Sequence, residues 1–303
     1  MAMNVACAAF MAVTMMAPLT AGAPVGESCY DRKTQPYTSV VDSHLHFRPF
    51  GGDAIPFQEV MYYLGESHIR YANVFGIGQK LPVDSGCTYY LACPGTTVSP
   101  SIKNDIVNAE NVWEHEAPKD VHLTLAMTFP DLANPETVVP EFQLLDKEYP
   151  KMFRWMGEVN LIKQALFPNH AEPATSEDIK NWAPFMQILQ ERGMPITIHS
   201  DLGNDQQPTE YMHFMEEVLQ RYPKNKIIWA HMGLSKELAN MNPEQHIGVM
   251  KQLLDSHPNL TLDISWRVLE DLYFSKPGVR SQYVSFFNSY PTRIIPGTDF
   301  VAS

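Results

Sequence analysis

The stretch V-V-D-S-H-L-H-F, Val40–Phe47, sets two histidines two residues apart inside an apolar run. In an extended strand successive side chains turn to opposite faces, so Asp42, His44 and His46 share one face, and Val41, Ser43 and Leu45 the other. Two imidazoles on one face form a metal-ligand arrangement. A half-exposed edge strand that merely carries histidines is the plainer explanation, and a lone His-x-His does not separate the two. The rest of the chain must supply further ligands, in a fold that brings them together.

Outward from that stretch, short β-branched or apolar runs recur at 39–47, 70–78, 121–129, 153–161, 195–201, 226–233, 259–265 and 292–300. Between them lie segments with helical spacing at 57–67, 101–116 and 135–149. Three more, SEDIKNWAPFMQILQERG, TEYMHFMEEVLQRY and PEQHIGVMKQLLDSH, open with Ser, Thr or Pro near acids, and Gly193 closes the first. A last one, VRSQYVSFFNSY, precedes the eighth strand. Strands alternating with helices predict a parallel sheet, and eight such units match the size of a (β/α)8 TIM barrel, about 250 residues. A doubly wound open sheet would announce itself by a Gly-rich turn after its first strand, where this chain has His-x-His and then Arg48. Only Val301, Ala302 and Ser303 follow the eighth strand, so the last barrel helix is expected to be missing, as in a truncated product.

The chain has 303 residues, 45% of them hydrophobic, enough for a substantial core. Its formal charge is −12 and its pI about 5.3, with no offsetting run of Lys or Arg, which argues against a nucleic-acid or anionic-membrane surface. Residues 1–23 are uncharged, Ala- and Met-rich, and end in an Ala-x-Ala pattern at Ala21 and Ala23. They read as a signal peptide without a basic start, which predicts a periplasmic or secreted protein with no membrane segment in its mature form; a buried N-terminal helix in a cytoplasmic protein is the other reading. Residues 24–38 then form a leader, and the barrel domain runs over 39–303 with an insertion at 76–100. Cys87 and Cys93 lie in that insertion and pair if the compartment is oxidising. No lipid-anchor sequence precedes Cys29. A homo-oligomer stays open.

In a barrel the site lies at the C-terminal ends of the strands. Those ends carry His44 and His46, Glu158, His199, His231 and Asp299, on the first, fourth, fifth, sixth and eighth strands. Each alone has an ordinary explanation: an ion pair of Glu158 with Lys163, a core histidine, a helix-capping Asp299. Together they predict four imidazoles and two carboxylates at one barrel mouth, a donor set that suits Zn2+, with Mn2+ or Fe2+ as alternatives.

At these positions the chain resembles the amidohydrolase superfamily, and its IIWAHMG and IIPGTDF segments resemble the amidohydrolase-related metal-dependent hydrolases. The resemblance implies that His44, His46 and Asp299 hold one metal, that His199 and His231 hold a second or face the substrate, and that Glu158 takes the place of a bridging lysine, as in TatD-like deoxyribonucleases. One or two ions are then expected. The implied activity is metal-dependent hydrolysis of a C–N or C–O bond in an amide, lactone or ester, with Asp299 moving the proton and His231 as the alternative carrier. A decarboxylase of the same superfamily is the rival, with His231 in proton transfer, and a non-catalytic metal-binding barrel is a third reading. Arg48, Lys163 and Arg267 lie beyond strand ends, where they could clamp the carboxylate of a small-molecule substrate or form ion pairs on the rim. Tyr89 and Tyr90, in the insertion, could cover the pocket.

Overall fold

The computed structural model describes residues 40–49, 51, 53–115 and 117–302. The signal-like segment 1–23 and the leader 24–38 lie outside them. The main sheet is all parallel: β1 (Val40–His46), β2 (Ile69–Phe75), β3 (His122–Met127), β4 (Phe153–Ile162), β5 (Ile196–Ser200), β6 (Ile227–Trp229), β7 (Leu260–Asp263), β8 (Ile294–Ile295) and β9 (Phe300–Val301). Strands β1 to β8 pair in sequence order, and β9 pairs with β1.

The single run expected at 292–300 is therefore two short strands. Pro296 has no N–H for a ladder, and Gly297 passes so close to β1 that a Cβ there would sit 2.7 Å from the Cβ of His44. The run still closes the barrel. On one side Leu262 N donates to Arg293 O and Ile264 N to Ile295 O; on the other Ser43 N donates to Pro296 O, Asp299 N to His44 O and Ala302 N to His46 O. The fold is a (β/α)8 TIM barrel.

Helices α1 (Phe57–Glu66), α2 (Lys103–Glu114), α3 (Val138–Glu148), α4 (Ser176–Lys180), α5 (Ala183–Arg192), α6 (Met212–Arg221), α7 (Pro243–Ser256), α8 (Arg267–Leu269) and α9 (Pro277–Ser289) follow the strands. The longer ones bury one side; α6 buries Met215, Val218 and Leu219 at spacings of three and four residues. The helix expected over SEDIKNWAPFMQILQERG is broken in two, because Pro184 fits only the first turn of a helix. Gly193 ends the second piece in the left-handed region, φ +64°. No helix among the described residues is long and apolar enough to cross a membrane.

The insertion after β2 is tied down. A Cys87–Cys93 disulfide closes it, a small antiparallel hairpin joins Gln79–Lys80 to Ser99–Pro100, and Asn169 Nδ2, after β4, donates to the carbonyls of Tyr90, Cys93 and Thr96. Leu81, Tyr90, Val98, Ala165 and Leu166 bury one another beneath it.

Behind the barrel mouth, His246 on α7 supports the turn after β6. Its Nε2–H donates to Met232 O at 2.9 Å, and its Nδ1 accepts from the Tyr283 hydroxyl at 2.8 Å. The bond from Tyr283 needs the neutral ring, whose Nδ1 alone can accept, and burial pushes its pKa down to about 4. Between about pH 6.5 and 4 the unfolded chain then binds a proton that the folded one does not, so stability falls as pH drops through that window. The expected difference is a pH slope in unfolding free energy steeper by about 1.4 kcal/mol per unit in wild type than in His246→Gln. Urea unfolding of both proteins from pH 7 to 4 checks it, and equal slopes would refute it.

Candidate metal centre

The six ligand-type residues read from the sequence converge on one cavity of about 540 Å³ at the C-terminal ends of the strands; His46, Glu158, His199, His231 and Asp299 line it, and His44 lies behind His46. Such a volume suits a small molecule. The inner end is built by β1, whose alternation aims His44 and His46 to the same side, His44 Nε2 lying 3.2 Å from His46 Nε2. Asp299 Oδ1 sits 3.3 Å from His44 Nε2 and 3.1 Å from His46 Nε2. Glu158 Oε2 sits 3.7 and 3.6 Å from the same two nitrogens.

These distances can be tested against an ion. Ligands about 2.0–2.1 Å from a tetrahedral centre stand roughly 3.3–3.4 Å apart. The separations of the two imidazole nitrogens from each other and from the two carboxylate oxygens, 3.1–3.7 Å, bracket that edge. Ring orientation agrees. His46 Nδ1 donates to Gly76 O at 2.5 Å and His44 Nδ1 to Asp263 Oδ2 at 2.6 Å, so both Nε2 lone pairs face the centre. Two facing lone pairs and two carboxylates, one buried and one partly so, repel one another unless a cation stands between them. The residues fit a divalent ion.

A second trio, Glu158, His199 and His231, lies on the other side of the same carboxylate. Here the spacing differs. Glu158 Oε1 is 2.5 Å from His199 Nδ1, a hydrogen bond rather than a ligand–ligand edge, and 3.4 Å from His231 Nε2. His199 Nε2 meets Asp201 Oδ1 at 3.0 Å, which anchors the ring from behind. Lys163 Nζ stands 3.7 Å from Glu158 Oε1. Glu158 thus joins two histidine pairs, one oxygen to each.

The field of the site keeps its acids charged. Burial opposes ionisation of Glu158, but Lys163 and then His199 outweigh it and hold the carboxyl well below the usual range. Burial likewise opposes ionisation of Asp299, and His44, His46 and His231 bring it down to about 2. Burial alone would lower His44, yet Asp263 and Asp299 raise it well above the ordinary imidazole value.

Three cavity residues sit in the left-handed region: His231 (φ 56°), Trp266 (φ 85°) and Asp299 (φ 55°). Such backbone strain concentrates at functional sites. The Trp266 ring packs 4.9 Å from His231 and 6.1 Å from His199. Tyr89 and Tyr90 of the insertion also line the cavity.

Of the three basic residues expected to meet substrate, only Lys163 lines the cavity. The other two lie outside its lining. Arg267 begins α8, points into solvent with 87% of its side chain exposed, and pairs with Asp271 at 3.3 Å. Arg48 is half-buried beside β1 and does not line the cavity; its Nε is enclosed without a hydrogen-bond partner among the described residues. Lys236, not singled out in the sequence, does line it and makes no ion pair among the described residues. It lies three residues past the HMG turn, a spacing that carries no motif.

A closed parallel barrel whose mouth gathers four imidazoles and two carboxylates defines a class of metal-supported barrel enzymes. The amidohydrolase family profile matches residues 110–302, and the chain belongs to that family and is an enzyme of its type. The match takes in Glu158, His199, His231 and Asp299; His44 and His46 precede it and join by geometry. Two solved structures share the fold. One is dihydroorotase from Campylobacter jejuni, 14% identical, covering 86% of this chain and 69% of its own, with a TM-score of 0.50. The other is an amidohydrolase from Burkholderia multivorans with bound zinc, 11% identical, covering 86% and 84%, with a TM-score of 0.52. A comparison with curated proteins gives no match.

Zinc in excess is expected to raise the melting temperature of wild-type protein, since an ion bound only by the folded state stabilises it by about 2.7 kcal/mol at 100 times Kd. In His46→Ala most of that shift should vanish. Thermal scans with and without zinc, after chelator treatment, give the answer.

Proposed function

We propose that this chain is a metal-dependent hydrolase that cleaves a C–N or C–O bond of a small carboxylate-bearing substrate. The observation that carries the reading is the set of four donor atoms, from His44, His46, Glu158 and Asp299, spaced as the edges of one coordination shell. One ion fits that set. The short contact between Glu158 and His199 leaves His199 and His231 facing the substrate instead. Zinc is the preferred ion for a mixed nitrogen and carboxylate shell, with manganese or iron as substitutes.

When bound, the ion supplies Lewis-acid polarisation of the scissile carbonyl and a lowered pKa for water. The chain's own groups do the rest. Asp299, ionised and 13% exposed, accepts a proton from the attacking water at its carboxylate and returns it to the leaving nitrogen or oxygen. Water's oxygen forms the new bond to carbon as the C–N or C–O bond breaks. His231, held through Nδ1 by the carbonyl of Ser265, presents Nε2 as the second proton carrier. Lys163 balances Glu158, and Lys236 is left to meet a substrate carboxylate at the rim. Trp266, Tyr89 and Tyr90 narrow the mouth and exclude bulk water.

Asp299→Asn is expected to lower kcat by about 10²–10⁴-fold or more on any lactone, ester or amide that wild type hydrolyses, with the circular dichroism spectrum unchanged. Near-wild-type turnover in that variant would remove Asp299 from the reaction. Metal analysis of wild type should return one zinc per chain. Release of CO2 from β-keto or aromatic acids, with no hydrolysis of any probe, would overturn the hydrolase reading.

A further inference from the structure

The strand-seven end, read from the sequence only as NLTLDIS, contributes a buried pair, Asp263 and Ser265, both 1% exposed or less. Asp263 Oδ2 accepts from His44 Nδ1–H at 2.6 Å and also from Ser265 Oγ at 2.8 Å. Asp263 Oδ1 is held separately, by the backbone N–H of Ser265 at 2.7 Å. The Ser265 hydroxyl stands between two rings, 3.1 Å from His44 Nδ1 and 3.0 Å from His231 Nδ1. Those rings stack with centroids 5.2 Å apart and planes within 27°. One carboxylate and one hydroxyl therefore reach the rear nitrogen of both a proposed metal ligand and a proposed proton carrier.

We infer that Asp263 is a positioning residue for the metal centre: it fixes His44 as the Nδ1–H tautomer, so that Nε2 offers a lone pair to the ion, and Ser265 extends that control to His231. The inference rests on the metal-centre reading above and adds to it the group that sets the ligand. A carboxylate behind a ligating imidazole orients the ring and strengthens it as a donor, and losing such a partner typically weakens metal binding 10–100-fold.

The geometry makes the effect of Asp263→Asn specific. The Ser265 N–H needs an acceptor, so the amide oxygen of the new side chain takes the place of Oδ1 and its NH2 group takes that of Oδ2. The NH2 group then faces His44 Nδ1, which must become an acceptor. The ring proton moves to Nε2 and points at the metal position. Replacing an imidazole-orienting aspartate by asparagine imposes the wrong tautomer while leaving the surrounding geometry in place.

The test is zinc affinity, measured by competition with a chromogenic chelator on the full chain after metal removal. Wild type should bind zinc, and Asp263→Asn should bind it about 10–100-fold more weakly. Equal affinity in the two proteins overturns the inference and leaves the metal centre standing. No zinc binding by wild type overturns both. A second readout does not depend on the variant folding: long-range proton–nitrogen spectra of zinc-loaded wild type should show His44 protonated at Nδ1. A His44 protonated at Nε2 instead overturns the assignment.

Discussion

The constraint on which the rest of this structure depends is the seam between β1 and the run that carries Asp299. Asp42, two residues before His44, is buried, and its carboxylate accepts from His44 N, Thr298 N and Thr298 Oγ1. Asp299 N donates in turn to His44 O. One carboxylate thus locks β1 to the closing run, and the lock sits one residue from Asp299 on one side and two from His44 on the other. Barrel closure and the placing of His44 beside Asp299 are the same event. Had the run closed in another register, His44 Nε2 and Asp299 Oδ1 would not meet at 3.3 Å.

Glu158 does for the middle of the site what Asp42 does for its edge. Its side chain approaches both histidine pairs, and the chain reaches it through Gly157. That residue has φ +103°, and a Cβ there would fall 2.2 Å from the carbonyl oxygen of Thr197 on β5. Only glycine allows so close an approach between neighbouring strands in that conformation. Lys163 and His199 both meet the carboxylate at Oε1, a cationic and a hydrogen-bonding partner of the kind a buried charge requires, while Oε2 faces His44 and His46. The acids at the mouth stay ionised through this pairing and in spite of their burial.

Much of this was legible in the sequence, because the decisive signals are periodic. Alternation in Val40–Phe47 aimed both histidines to one side, and the strand–helix rhythm placed Glu158, His199, His231 and Asp299 at strand ends. What one-dimensional spacing does not carry is direction beyond a strand end. Arg267 and Lys236 both follow strands by a few residues; the start of α8 turns the first into solvent, and the turn after β6 leaves the second at the cavity. The groups behind these histidines were also invisible. Asp263 and Gly76 are separated from the imidazoles they orient by 219 and 30 residues, and one acts through a side chain, the other through a carbonyl that no sequence encodes.

The left-handed residues show where the fold gives up stability for aim. An L-residue in that region costs about 1–3 kcal/mol when nothing local favours it. His231, Trp266 and Asp299 all adopt it, and each is held by bonds from a different element. Met232 O, beside His231, accepts from His246 on α7; Trp266 N donates to Thr298 O; Asp299 N donates to His44 O. In an extended backbone these residues would continue their strands and send alternate side chains into the helix layer. The sharp turns bring three consecutive strand ends inward instead. The strain is thus tied to the convergence itself: the barrel supplies the ring of strand ends, and the left-handed turns at β6, β7 and the closing run point their side chains at one centre.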